Sequence, residues 1–156
     1  MRAVAVTLAV ALVAVLGCED EPSPPAPTSL DPWRDVSDEE LDREISTAHE
    51  RARAANKRVL IDFVATWCVD CREVVRVSAL EPARSVIAER YEHVPINVGG
   101  WDRARSWRER FAVTRIATLV VLEPDGTKVA QTTLEPISNR DPLTPEALAT
   151  WLRNPH

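Results

Sequence analysis

Cys68 and Cys71, in the run Trp67-Cys68-Val69-Asp70-Cys71, are the side chains best placed to do chemistry in this 156-residue sequence. Two thiols separated by two residues can close a small disulfide ring at the start of a helix. The first sulfur then lies beside amides with no partner inside the helix, at the positive end of the macrodipole, and both favour an anion there. That lowers the thiol pKa, and the thiolate is the nucleophile. It can attack a disulfide in another molecule, and the second thiol can resolve the mixed disulfide that results. A bare C-x-x-C also suits half of a zinc site, but there is no second such pair, and only His49, His93 and His156 remain as imidazole ligands. The same two soft sulfurs suit Cu(I), so a copper-carrying binding module is the main competing function. Against it, the only methionine is the initiator. A redox-inactive tether or adaptor is a third reading, and the intact cysteine pair argues against it.

The elements around the pair decide what it is for. Val59 to Val64 is apolar except for Asp62. Such a run without alternation suits a parallel strand covered on both faces. Cys68 follows four residues later and opens a helix over about 69–77. A C-x-x-C that leaves a buried strand and enters a helix is in a redox context. Upstream, Ser37-Asp38-Glu39-Glu40 is a capping box, with Val36 and Leu41 placed as a hydrophobic staple. Leu41, Ile45, Ala48, Ala52 and Ala55 then form one buried stripe on a helix ended by Asn56-Lys57.

Downstream, Glu81-Pro82 opens a third helix, with Val86, Ile87 and Tyr91 inward. Residues 94–98 read as an edge strand, because Pro95 cannot donate to a ladder. Trp101, Ala104, Trp107, Arg108 and Phe111 trace a short helix. Residues 118–122 and 128–134 form a hairpin around the turn Glu123-Pro124-Asp125-Gly126. Pro136 to Pro142 loops out, and Thr144 caps a last helix with Pro145 at its first position and Leu148, Trp151 and Leu152 facing inward.

The first residues belong to no fold. Met1 and Arg2 precede an apolar run, Ala3 to Leu16, broken only by Thr7. It is short for a membrane span and fits the hydrophobic region of an export signal over residues 1–17. The run ends in Val15-Leu16-Gly17-Cys18, which resembles the lipobox of bacterial lipoproteins. That resemblance implies a lipidated Cys18 as the new N-terminus, on the periplasmic side of a bacterial membrane. A plain secretory signal with an incidental cysteine is the simpler alternative. Residues 18–35 read as a lipidated cysteine and a tether, with prolines at 22, 24, 25, 27 and 32 and no apolar periodicity. The folded domain is expected over 36–156.

Val59-Leu60-Ile61-Asp62-Phe63-Val64-Ala65-Thr66-Trp67-Cys68 resembles the active-site strand and turn of the thioredoxin superfamily. Together with Asn56-Lys57-Arg58, the Cys68-Val69-Asp70-Cys71 motif is most similar to the C-terminal periplasmic domain of DsbD-type interchange reductases and their small lipoprotein relatives. The resemblance runs from Val36 to about Arg153. It implies an α/β, thioredoxin-like fold with a central four-stranded mixed sheet flanked by helices. The sheet order expected is 94–98, 59–64, 118–122, 128–134, with the first two strands parallel and the other two antiparallel to their neighbours.

The resemblance implies roles for single residues. Cys68 matches the attacking cysteine, Cys71 the resolving one, and Trp67 a tryptophan packed beside the disulfide. Asp62 matches a buried aspartate whose raised pKa lets it take a proton from Cys71. Core packing for Trp67 and a hydrogen-bonded structural carboxylate for Asp62 are the alternatives. Ile116-Ala117-Thr118 matches the substrate-binding loop, with Ala117 where the family has a cis-proline. A trans Ile116–Ala117 bond is expected, since cis costs ~2.5–4 kcal/mol before a non-proline residue. Losing that proline implies easier metal capture by the thiols. Pro95 stands near the place of the family's buried lysine. Asp70 between the cysteines opposes the thiolate and Arg115 favours it, a balance that geometry decides; Asp70 by itself leans the couple toward reductase over oxidase. A merely solvated Asp70 is the alternative.

The chain carries 24 acidic and 19 basic side chains, with no basic block, which argues against nucleic acid as a partner. The expected partners are disulfide-bearing exported proteins, a DsbD-like membrane electron donor and the membrane itself. No cofactor or metal is needed, and the domain is expected to act as a monomer.

Overall fold

A computed structural model describes residues 30–139 and 141–156. The expected export signal, Cys18 and most of the expected tether lie outside these residues.

The first helix, α1 (Asp38–Ala55), forms where its caps say it should. Ser37 Oγ accepts the Glu40 amide at 3.2 Å, and Asp38, Glu39 and Glu40 sit at the positive end of the helix. Asn56 turns left-handed at φ 53°, and the Lys57 amide donates back to the Ala52 carbonyl at 2.8 Å, closing the end of the helix. Leu41, Ile45, Ala48 and Ala52 are buried as the periodicity requires. Ala55, in the last turn, is exposed instead.

The remaining elements are β1 (Arg58–Val64), α2 (Val69–Ser78), α3 (Ala83–Arg90), β2 (Tyr91–Asn97), α4 (Arg105–Arg110), β3 (Thr118–Leu122), β4 (Lys128–Thr133), α5 (Leu134–Ser138) and α6 (Pro145–Arg153). The sheet order is β2-β1-β3-β4, with β1 and β2 parallel and the other two pairs antiparallel. This is the expected order and direction. Pro95 lies in the edge strand, where its missing amide proton costs no ladder bond.

Strand β1 is buried from Val59 onward. Its residues alternate between two helical layers. Phe63 meets the Phe111 ring at 6.4 Å, at the end of α4, and Trp107 of α4 donates its indole proton to Asp42 of α1 at 2.7 Å. Asp62 therefore points to the opposite face, where α2, α3 and α6 pack on one another. The core is continuous across both layers.

Three boundaries differ from expectation. Strand β2 begins at Tyr91, not Val94, because Tyr91 pairs with Arg58 and its hydroxyl donates to the Leu152 carbonyl of α6. Trp101 and Ala104 precede α4 in left-handed backbone, at φ 73° and 50°, so the helix covers only part of the expected stretch. Leu134 opens α5 where strand and then loop were expected. Pro136 is no obstacle, since it falls in the first turn, where the amide has no helical partner. The last helix matches: Thr144 Oγ1 accepts the Ala147 amide at 3.1 Å, Pro145 is first, and Leu148, Trp151 and Leu152 are buried.

Candidate active site

The chain leaves β1 at Val64 and turns through Ala65, Thr66 and Trp67 into Cys68. The Cys68 amide donates to the Ala65 carbonyl at 3.1 Å, and the Arg72 guanidinium donates to the Thr66 carbonyl at 2.6 Å. These two bonds tie down the turn that presents the first sulfur. Cys68 is the N-cap of α2, and its Sγ accepts the Cys71 amide at 3.0 Å. The sulfur thus occupies the position that a serine or aspartate oxygen takes at ordinary helix starts. An amide aimed at that atom stabilises negative charge on it.

Cys68 and Cys71 form a disulfide with their Cα atoms 5.3 Å apart. Cys68 is 6 % exposed and Cys71 fully buried. An incoming sulfur therefore reaches Cys68 first. Trp67 is 54 % exposed, so it is not a core residue. Its indole N–H donates to the Gly99 carbonyl at 2.8 Å, which pins the ring on the surface. Gly99 adopts φ +58°, and a Cβ there would meet Asp102 Oδ1 at 2.4 Å. That left-handed backbone favours glycine, so the Gly99-Gly100 break also anchors the tryptophan. With exposed Val69, Trp67 makes an apolar rim beside the disulfide.

Asp62 is 1 % exposed, and its Oδ1 has no hydrogen-bond partner among the described residues. Burial pushes its carboxyl up to about 7. The His93 imidazole lies beside it, with Nε2 3.9 Å from Asp62 Oδ2. Burial lowers the His93 imidazole to about 4.

Asp70 is exposed in the first turn of α2. Arg115 is exposed and lines a shallow cleft with Thr132, Pro136, Trp151 and His156, on the β4 and α6 side. Ile116 is half-buried, and Ala117 and Thr118 are buried. The Ile116–Ala117 bond is cis, which corrects the expectation of trans. That expectation rested on the preference of an isolated peptide. Here Thr118 Oγ1 donates to the Arg115 carbonyl at 2.7 Å, and Thr118 is paired with both Phe63 and Thr133. Contacts on each side of the bond define the path of the chain, and tertiary packing overrides the local preference.

Three contributors escaped the sequence reading: Arg72, the carbonyl of Gly99 and His93. Arg72 lies one residue after the motif and could have been suspected from its charge. The other two follow only from tertiary proximity.

The sequence profile of the Thioredoxin family matches residues 35–143. A comparison with curated protein sequences gave no match. Among solved structures, the chain is similar to a disulphide isomerase from Xylella fastidiosa Temecula1, with TM-score 0.68 and 22 % identity over 78 % of this chain and 94 % of that one. It is similar to the oxidised DsbD C-terminal domain of Neisseria meningitidis, with TM-score 0.58 and 14 % identity over 80 % and 98 %. A thioredoxin from Thermus thermophilus gives TM-score 0.54 and 18 % identity over 69 % and 79 %. At these identities the structural matches establish the fold, while the profile covers most of the chain and its cysteine pair. The chain belongs to the thioredoxin family and carries that family's C-x-x-C, as a disulfide between Cys68 and Cys71, the equipment of a thiol–disulfide oxidoreductase.

Proposed function

We propose that this oxidoreductase is exported, held at a membrane through Cys18, and reduces disulfides of other exported proteins. The observation that carries the chemistry is the cap of α2: a slightly exposed Cys68 sulfur that accepts the Cys71 amide, above a fully buried Cys71. In the reduced protein, the Cys68 thiolate attacks one sulfur of a substrate disulfide and forms a mixed disulfide, expelling the other sulfur as thiolate. Asp62 takes the proton of Cys71. The Cys71 thiolate then attacks Cys68 and frees the second substrate sulfur. Two electrons pass to the substrate, and the Cys68–Cys71 disulfide is left.

Trp67, Val69 and the half-buried Ile116 at the head of the Ile116-Ala117-Thr118 loop provide the surface on which a substrate backbone would rest. Asp70, exposed beside the cysteines, opposes the Cys68 thiolate, and a less stable thiolate makes a more reducing couple. An oxidising compartment offers no soluble reductant, so a membrane dithiol donor must restore the thiols. The likeness to a DsbD C-terminal domain supports a donor of that kind. The assay is insulin reduction, with titration of the Cys68–Cys71 couple against glutathione. Turnover with a potential below about −200 mV, more reducing than the ~−120 mV of a strong oxidant, is expected. Stoichiometric Cu(I) binding without disulfide turnover would replace this reading with the copper-carrying one.

Export and anchoring rest on residues 1–35 as a sequence pattern. Residues 1–17 serve as the signal, and 18–35 hold the domain away from the bilayer. At ~3.1 Å per residue, a proline-rich tether reaches some tens of ångströms. The mature protein is expected to partition with membranes and to carry acyl chains on Cys18. Each buried methylene contributes ~0.8 kcal/mol, so several chains hold firmly. Cys18→Ser should release the protein or block its processing, read by membrane fractionation and intact mass. An unmutated protein found wholly in the aqueous fraction would refute the anchor.

A further inference from the structure

Asp62 has a proton to dispose of and almost no way out. It is 1 % exposed on the inner face of β1, and its Oδ1 has no partner among the described residues. Its neighbour in register on β2 is Pro95, which has neither an amide proton nor a titratable side chain. Two residues earlier on the same strand, and so on the same face, stands His93. Its Nε2 lies 3.9 Å from Asp62 Oδ2, and its side chain is 29 % exposed. The imidazole borders a groove of about 790 Å³ at the β2 edge, between α1, α2 and α3. It is thus in contact with the buried carboxyl on one side and within reach of water on the other.

We propose that His93 is the relay that carries the Asp62 proton to solvent while Cys71 resolves the mixed disulfide. This rests on the reading of Cys68 and Cys71 as a dithiol pair with Asp62 as base. The Cys71 S–H bond breaks and its proton goes to an Asp62 oxygen. The electron pair left on Cys71 forms the bond to Cys68, and the substrate sulfur departs with the pair of the broken mixed disulfide. The Asp62 O–H proton passes to a His93 ring nitrogen, and the imidazolium gives a proton to water in the groove. The 3.9 Å gap exceeds a direct hydrogen bond, which ends near ~3.2 Å for nitrogen and oxygen. A small turn of the ring or one bridging water closes it.

The charges around His93 suit a carrier that rests neutral. From α1, Glu40, Arg43, Glu44 and Arg51 line the groove. Glu44 is bound by Arg34, so Arg43 and Arg51 outweigh Glu40. From α3, Arg84 is paired with Glu81 at 2.7 Å. On β2 itself, Glu92 is paired with Lys57 at 3.4 Å, and Tyr91 is turned to the Leu152 carbonyl. No unpaired acid besides Glu40 and Asp62 competes to hold His93 protonated among these groups. A neutral ring keeps a lone pair free to accept the proton, and because its imidazolium is a stronger acid than the Asp62 carboxyl, the charged ring forms only transiently and passes its proton on to water.

The test follows decay of the mixed disulfide in the full-length protein by stopped flow. His93→Ala should slow resolution on the order of 10²-fold, the low end of what a positioned proton transfer contributes. Added imidazoles should restore the rate, more fully as their basicity rises. His93→Gln keeps hydrogen bonding and most of the volume, cannot carry a proton, and should be slowed as well; it keeps the test open if the alanine variant unfolds. An unslowed His93→Ala, a fully active His93→Gln, or a slowed alanine variant indifferent to imidazoles would each overturn the relay. If the unmutated protein reduces no disulfide, the underlying reading falls instead, and the relay with it.

Discussion

Cys68→Ser is expected to abolish disulfide exchange, with a loss on the order of 10³-fold or more, because no other group can replace the attacking sulfur. The neighbouring Cys71 is fully buried and cannot take over the first attack. Cys71→Ser should behave differently. The exposed edge of Cys68 still meets the substrate, but no thiol remains to release it, so a covalent mixed disulfide should accumulate and be visible by mass under non-reducing conditions. In the reduced protein near neutral pH, Cys68 should be alkylated faster than Cys71. Faster alkylation of Cys71 would reverse the two roles. The roles follow from where the sulfurs lie: one caps α2 at the surface and the other sits a turn deeper, with its amide aimed at the first.

Asp62→Asn should raise stability at alkaline pH while it slows resolution. The carboxyl stands near 7 in the folded chain against 3.8 for an ordinary aspartate. Its folded value is raised, so the folded protein binds more protons than the unfolded chain between those two pH values. Stability must then fall as pH rises through that window, and the loss is complete above about 7. A separation of about three units corresponds to roughly 4 kcal/mol, an upper bound for this one group. Asparagine removes the titration, so the variant should gain on unmutated protein from pH 4 to 8. Denaturant unfolding at several pH values reads this directly. Stability curves for the two proteins that run parallel over that range would show that Asp62 does not titrate there.

In the proposed mechanism the same substitution removes the base for Cys71. Resolution should slow on the order of 10²-fold near neutral pH. The unmutated protein should show an inflection near 7 in its resolution rate, whereas the variant should depend on hydroxide alone. A residue that was only structural would not give opposite effects on stability and rate.

How much of this was legible beforehand depends on the range of the interaction concerned. Ser37, Asn56 and Thr144 act on backbone groups within five residues, and the helix ends they mark are where the structure has them. The hairpin turn at Glu123 to Gly126 is equally local, with the Gly126 amide on the Glu123 carbonyl at 2.9 Å. Sheet order followed from the family resemblance, with Pro95 marking the edge. Ala55 shows where periodicity stops informing: the stripe continues in sequence, but nothing remains to cover it.

The sequence by itself determined most of the elements (α5 excepted), the cysteine pair at a helix start and the presence of one acid in an otherwise apolar strand. Each is written in neighbours a few residues apart, where backbone hydrogen bonding and side-chain alternation act directly. Only the tertiary structure decided that Trp67 is a surface residue held by Gly99, that the Ile116–Ala117 bond is cis, and that His93 faces Asp62. Residues 32 or 31 positions apart meet there because the register of β2 on β1, and the packing of helices over both, sets which side chains share a face. That information lies in the sum of many weak contacts, and no short stretch of sequence contains it.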